Sequence, residues 1–141
     1  MNMIKRIVFF LLISVMIINT AVTASSNAVT AVDLKDGNYK IEVTSSSDMF
    51  RIIDCELIVK DGKMSAVMTL SGTGYEKLFM GTGEQAEKAS DDEYVYFVED
   101  ENGKYTYTVP IEALDKDTDC AAFSIRKQKW YDRTLVFQSA N

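Results

Sequence analysis

The sequence predicts an all-β fold, and three features of the chain lead to this prediction. Short segments in which apolar and polar residues alternate recur after residue 35 of the 141-residue chain, as in half-buried strands. Glycines and polar clusters separate these segments, and only one short stretch there favours a helix. This spacing predicts an antiparallel β-sandwich of about eight strands with immunoglobulin-like architecture. An up-and-down barrel is the alternative arrangement.

Three strands are predicted in the first half of the chain. Gly37 to Thr44 alternates apolar and polar residues, and Phe50 to Lys60 is long enough to bend or to carry a bulge near Asp54. Asp61-Gly62 is a strong two-residue hairpin signal. The strand that follows it, Lys63 to Leu70, places its two Met residues, an Ala and a Leu on one face.

The second half predicts one short helix and four further strands. Glu84 to Ala89 contains good helix formers but is too short to be stable unless it is docked. The strands are Tyr94 to Val98, Tyr105 to Ile111, Cys120 to Ile125 and Thr134 to Phe137. Arg126 to Arg133 is predicted to connect the last two of them.

An export signal precedes the predicted domain. Lys5 and Arg6 provide a basic start, an apolar run follows from Ile7 to about Ile18, and Val22-Thr23-Ala24 offers small residues for cleavage. We interpret this segment as an N-terminal signal helix. An uncleaved anchor is the alternative, although the run is shorter than the roughly 20 residues that a spanning helix prefers.

The chain therefore divides into a signal peptide (1–24), a linker (25–34) and the β-sandwich (35–138). We expect a secreted or cell-surface protein with no stable membrane insertion after cleavage. Removal of residues 1–24 takes away two of the 15 basic residues and none of the 21 acidic ones, which leaves a net charge of −8. Such a chain repels phosphate backbones and has no basic run beyond Arg126 to Lys129, so nucleic acid is not an expected partner.

Two cysteines, Cys55 and Cys120, lie in the exported part of the chain. An even number of cysteines there predicts a disulfide. Closing a loop of about 65 residues would stabilise the fold by about 4 kcal/mol. Two free buried thiols are the alternative.

The composition excludes several kinds of catalytic site. The chain contains no histidine, which excludes Ser-His-Asp and Cys-His catalysis and histidine-built zinc sites. The acidic residues at 91–93 and 99–101 match no calcium-loop pattern. Nothing selects a glycosidase pair from 21 carboxylates. We therefore expect no enzymatic activity.

The stretch from Leu70 to Gly81 is the first candidate binding segment. Gly72 and Gly74 interrupt the alternation and allow a sharp turn. They are followed by an apolar run that carries the side chains of Tyr75, Phe79 and Met80. Such a loop can form a binding lip, and the alternative is that these side chains fill the core behind a turn.

The last hairpin is the second candidate segment. Trp130 and Tyr131 are flanked by Lys127, Lys129 and Arg133 in an otherwise acidic chain. Flat aromatic rings beside cations suit a planar anionic ligand, such as a porphyrin with its propionates, or a sugar or protein surface. A charge-guarded aromatic pair at a sheet edge is the alternative.

Three segments together resemble the NEAT (near-iron-transporter) haem-binding domains of bacterial surface proteins. They are Asp36 to Ile41, Leu57 to Met64, and the final hairpin leading into Thr134 to Phe137. The resemblance covers residues 35–138. It implies an eight-stranded immunoglobulin-like fold that holds haem between a lip after an early strand and the last hairpin.

The resemblance also implies roles for individual residues. In that family a Tyr-x-x-x-Tyr pair of the hairpin usually supplies the iron ligand, whereas Tyr131 here has Leu135 or Lys127 at the paired position. Tyr131 or Met80 would then coordinate haem iron, because the chain has no histidine. The remaining contacts would be Ser71 and Tyr75 on the lip, Tyr75, Phe79 and Trp130 as pocket walls, and Lys127 or Arg133 as propionate partners.

The expected function is ligand binding at the bacterial surface, with haem as the leading ligand and iron or haem acquisition as its purpose. The alternative is an adhesion module without haem, which would bind a surface or host protein or a glycan through Trp130 and Tyr131.

Overall fold

Ten short strands form two antiparallel five-stranded sheets in the described part of the chain. The structure is a computed structural model and describes residues 28–139. The predicted signal peptide, residues 1–24, and the first residues of the predicted linker lie outside the described residues. The predicted antiparallel β-sandwich is confirmed, with ten strands in place of about eight.

The ten strands are divided equally between the two sheets. In chain order they are β1 (Gly37–Lys40), β2 (Val43–Ser45), β3 (Ile52–Lys60), β4 (Lys63–Leu70), β5 (Tyr75–Phe79), β6 (Val95–Tyr96), β7 (Val98–Glu99), β8 (Tyr105–Ile111), β9 (Asp117–Ser124) and β10 (Trp130–Phe137). The first sheet has the spatial order β1-β3-β4-β8-β7, and the second has the order β2-β10-β9-β5-β6.

Two segments that the sequence predicted as single strands each divide between the sheets. Ile41 donates its N–H to the carbonyl of Cys55 in the first sheet (3.1 Å), whereas the carbonyl of the next residue, Glu42, accepts from Gln138 beyond β10 (2.8 Å). At the other edge, a single residue, Phe97, separates β6 from β7. The two sheets are therefore joined at both edges by chain that switches sheets.

The core lies between the sheets and follows the predicted alternation. In β4 the side chains of Met64, Ala66, Met68 and Leu70 are buried, as predicted, while those between them are half-buried. Burying a side chain the size of Leu or Met stabilises the fold by about 1.5–3 kcal/mol. The largest fully buried side chain is Tyr107 of β8.

Two details of the first sheet confirm the predictions from its sequence. The register of β3 against β4 shifts between Ile52 and Asp54, which is the expected bulge. Asp61 and Gly62 have φ angles of 52° and 79°. Two successive positive φ angles match a type I′ hairpin, in which Asp and Gly are preferred.

A short helix, α1 (Gly83–Lys88), lies against the outer face of the second sheet, close to its predicted position. The side chains of Thr82 and Gln85 form a capping box at its start. The N–H of Gly83 donates to Oδ1 of Asp132 in β10 (2.6 Å). Capping and docking thus stabilise a helix that is too short to be stable alone.

The N-terminal end of the described chain covers one end of the sandwich. Val29 and Leu114, which follows β8, exchange two backbone hydrogen bonds of 3.2 and 2.7 Å. The side chains of Val29, Ala31 and Leu34 pack against the core. Residues 28–34, which the sequence predicted as linker, therefore contact the domain.

The predicted disulfide is not present. Cys55 on β3 and Cys120 on β9 are both free and buried. They belong to different sheets, and each occupies a core position as a small apolar side chain. Burial raises the pKa of both thiols from 9.0 to about 12, with the neighbouring Asp54 carboxylate adding to the effect at Cys55.

We predict that both thiols are inert in the folded protein, because a buried thiol with a raised pKa forms little reactive thiolate at pH 8. Protein purified without reductant should release no colour with Ellman's reagent under native conditions and two equivalents in 6 M guanidinium chloride. No reactive thiol in guanidinium chloride before reduction, and two after it, would show instead that the cysteines are bonded.

Candidate functional site

A cavity of about 330 Å³ opens at the end of the sandwich opposite the Val29–Leu34 segment. It lies where β4 and β9 end and where β5 and β10 begin, so that both sheets line it. We call it the arginine cavity. Its lining residues are Met49, Arg51, Leu70, Ser71, Gly72, Gly74, Tyr75, Ser124, Arg126, Lys127, Tyr131 and Arg133.

The charge of this cavity is opposite to that of the whole chain. Residues 28–139 contain three arginines, Arg51, Arg126 and Arg133, and all three line the cavity. Lys127 adds a fourth cation, whereas no Asp or Glu is among the lining residues. The two salt bridges found in the described chain lie elsewhere. Four cations without carboxylate partners attract an anion.

The alternation along β10 places two of the lining side chains. Tyr131, Arg133, Leu135 and Phe137 share one face of the strand, because successive side chains point to opposite faces. Leu135 and Phe137 are buried in the core, whereas Tyr131 and Arg133 are half-buried. The sequence predicted a connection up to Arg133, but β10 begins at Trp130. Its inward face therefore continues from the core into the cavity.

Arg133 is held in the cavity by contacts that leave its charge unpaired. Its Nη2 donates to the hydroxyl of Tyr75 (3.1 Å), and its Nη1 donates to the carbonyl of Asp132 (3.1 Å). Its guanidinium carbon lies 5.3 Å from the centre of the Tyr131 ring. The Nε atom is buried and has no hydrogen-bond partner among the described residues.

Tyr75 links the two sheets at the mouth of the cavity. Its carbonyl accepts a hydrogen bond from the hydroxyl of buried Tyr107 in the first sheet (2.6 Å). Its own hydroxyl donates to the carbonyl of Met49 (3.2 Å), and its ring packs edge-to-face on Phe50 at 5.3 Å. Both the backbone and the side chain of Tyr75 are thus fixed.

Tyr131 lies between two cations. The Nζ atom of Lys129 is 5.2 Å from the centre of its ring, and Arg133 approaches the same ring. Cations at these distances are attracted to an aromatic ring. Within residues 28–139 no hydrogen bond engages the Tyr131 hydroxyl, which leaves that oxygen available to a ligand.

The structure brings together five of the eight predicted ligand-binding residues. Ser71, Tyr75, Lys127, Tyr131 and Arg133 all line the arginine cavity. The other three, Phe79, Met80 and Trp130, lie outside this cavity.

Phe79 and Trp130 lie on the outer face of the second sheet. Trp130 pairs in register with Phe123, and its ring lies 5.1 Å from that of Tyr94. The Nζ atom of Lys77 lies among the rings of this outer cluster, 4.7 Å from the centres of both Tyr94 and Phe123. The rings of Trp130 and its neighbours are therefore already in contact with a cation of the same chain.

Met80 lies at the opposite end of the sandwich from Tyr131. It lines a second cavity together with Ile111 and Asp117, at the end where β8 finishes and β9 starts. The two residues that the sequence offered as alternative iron ligands thus belong to different cavities, and only Tyr131 shares its cavity with the arginines.

Arg51 and Arg126 were missed as site residues. Arg126 was noted only as the start of a basic run, and Arg51 was not noted at all. The signal that could have found them is the rarity of arginine after the signal segment, since Lys is the common cation of this chain. The meeting of Arg51 and Arg126 in one cavity also depends on which strand ends lie side by side. The alternation of apolar and polar residues does not specify this arrangement.

The glycines of the lip between β4 and β5 lie in open space and have ordinary backbone angles. Gly72 and Gly74 permit backbone angles that are closed to other residues, but neither has a positive φ. A Cβ atom added at either position would meet nothing within 4 Å. Both glycines keep the mouth of the cavity clear of side chains.

No protein-family model and no curated protein matches the chain. Between residues 28 and 139 no helix is long and apolar enough to cross a membrane. The same residues form no cluster of three or more His, Cys, Asp or Glu side chains that could hold a metal ion. Any proposal of a function therefore depends on the contacts and charges of the arginine cavity.

We predict that Tyr75→Phe destabilises the protein by about 1 kcal/mol, because it removes the hydroxyl that joins Met49 to Arg133 while it keeps the ring on Phe50. Tyr131→Phe is the matched control and should change the free energy of unfolding by less than about 0.5 kcal/mol. Urea unfolding followed by circular dichroism measures both. Equal effects of the two substitutions would contradict the role given to the Tyr75 hydroxyl.

Proposed function

We propose that this protein is an exported, non-catalytic binding protein that holds a planar anionic ligand in the arginine cavity, with haem as the leading ligand. Its place of action would be the surface of a bacterium, and its purpose haem or iron acquisition. The observation that carries this proposal is the convergence of all three arginines of the described chain on one cavity that contains no carboxylate.

The residues of the cavity suit haem in two ways. Haem presents two propionate carboxylates, and the guanidinium groups of Arg133, Arg51 and Arg126 offer planar pairs of donors that match carboxylates. Tyr131 lines the same cavity, and a tyrosine oxygen is a known type of axial ligand to haem iron. Because Met80 lines the other cavity, we assign the axial position to Tyr131 alone.

The fold is consistent with a NEAT-like, immunoglobulin-like domain. Counting each pair of strands that switches sheets as one strand (β1 with β2, and β6 with β7) reduces the ten strands to eight. The lip and the last hairpin, between which that family holds haem, are the two segments that meet at the arginine cavity. The architecture and the site thus support the same assignment.

An adhesion module that binds a protein or a glycan is the second candidate function. Its support is the aromatic cluster around Trp130 on the outer face of the second sheet. Lys77 already contacts this cluster, and Tyr131 lies on the other side of the strand. The two residues given to that function by the sequence therefore do not form one surface.

We predict that purified protein binds haem with a saturable, shifted Soret band, and that Tyr131→Phe abolishes the shifted band because it removes the axial oxygen. Met80→Ala is the control and should leave both the band and the affinity unchanged. A spectrophotometric titration with haem, at equal protein concentrations, measures all three proteins.

A wild-type spectrum no different from that of free haem would reject haem and leave the adhesion module as the better candidate. Loss of the band in Met80→Ala but not in Tyr131→Phe would contradict the assignment of Tyr131.

A further inference from the structure

We infer that the arginine cavity contains an oxyanion subsite formed by Arg51, Arg126 and Arg133, which binds amphipathic phosphates or carboxylates whether or not they carry iron. The inference rests on the proposed function, because it takes the same cavity to be the binding site. It goes further in naming the chemical group that the cavity recognises and the part of the ligand that stays at its mouth.

The hydrogen-bonding capacity of these arginines is largely unused. The guanidinium groups of Arg51 and Arg126 form neither hydrogen bonds nor salt bridges with the described residues, and Arg133 uses only Nη1 and Nη2. Its Nε atom is shielded from solvent without a partner. A buried donor without a partner is costly, which favours a turn of the Arg133 guanidinium towards an oxyanion in the cavity, where Arg51 and Arg126 also have unused donors.

The subsite combines one fixed arginine with two free ones. Arg133 is positioned by the hydroxyl of Tyr75 and by the ring of Tyr131. Arg51 and Arg126 are exposed and enter the cavity from opposite strand ends, before β3 and after β9. A fixed donor provides orientation, and the two exposed side chains can close on oxyanions of different shape.

Two exposed apolar side chains, those of Met49 and Ile125, lie beside the cations at the mouth of the cavity. The Met49 side chain lines the cavity and is 76% exposed. Ile125, between the lining residues Ser124 and Arg126, is 41% exposed, and its N–H donates to the carbonyl of Gly74 on the facing loop (2.9 Å). Exposed apolar side chains beside a cationic cavity suit a ligand that is apolar behind its anionic group.

Three matched probes test this inference on the full protein: 1-naphthyl phosphate, inorganic phosphate and a naphthyl trimethylammonium cation. The first has both the oxyanion and the flat apolar group, the second only the oxyanion, and the third the apolar group with the opposite charge. Isothermal titration calorimetry should give one site for 1-naphthyl phosphate, binding at least tenfold weaker for phosphate, and no binding for the cation. Affinity should fall as NaCl concentration rises.

Substitutions locate the subsite. Arg51→Gln, Arg126→Gln and Arg133→Gln should each weaken binding of 1-naphthyl phosphate about tenfold or more. Lys60→Gln makes the same charge change at the far end of the sandwich, beside the Asp61-Gly62 turn, and should change affinity less than twofold. Arg133 also contacts Tyr75, so circular dichroism must first show that each variant is folded. If Arg133→Gln is unfolded, the variants of the exposed Arg51 and Arg126 provide the test.

The outcomes separate this inference from the proposed function. Binding of 1-naphthyl phosphate that depends on the arginines, together with no haem band, would support the oxyanion subsite and reject haem. A haem band that depends on Tyr131 but is unchanged in all three arginine variants would reject the subsite and keep haem. Equal binding of the naphthyl phosphate and the naphthyl cation would also reject it.

Discussion

The joining of the two sheets at both edges is the constraint on which the site depends. At one edge two residues, Ile41 and Glu42, carry the chain from the first sheet to the second, and at the other edge Phe97 does so alone. At each switch the edge strands of the two sheets are covalently joined. Val29 and its neighbours pack over one end of the sandwich, where Met80 lines its own cavity, and the arginine cavity lies at the other end.

One contact between the sheets and one within the second sheet then give that open end a fixed shape. The hydroxyl of Tyr107 in the first sheet donates a hydrogen bond to the carbonyl of Tyr75 in the second. The Tyr75 hydroxyl in turn accepts a hydrogen bond from Nη2 of Arg133 in the same sheet. The inward face of β10 changes from apolar to polar as it reaches the cavity, so that no break in the strand is needed to present Tyr131 and Arg133. The site is thus an extension of the core in which cations replace apolar side chains.

Local chemistry made much of the fold predictable from the sequence. The Asp61-Gly62 turn, the alternation of β4 and the bulge near Asp54 depend on neighbouring residues, and the structure confirms all three. The division of Gly37 to Thr44 between sheets was not predictable, because alternation continues across the switch. The prediction that Trp130 lines the pocket with Tyr131 was wrong because neighbouring residues on a strand face opposite sides of the sheet.

The central claim is that an anionic ligand binds at the arginines, and the most direct measurement is the ¹⁵N–¹H spectrum of the arginine side chains during titration with a ligand. Residues 28–139 contribute three arginine Nε–H signals and one tryptophan indole signal, that of Trp130. We predict that the signals of Arg51, Arg126 and Arg133 all shift with one affinity, while the indole signal of Trp130 moves little. Shifts confined to the Trp130 indole, with the arginine signals unchanged, would place binding on the outer face and contradict the account.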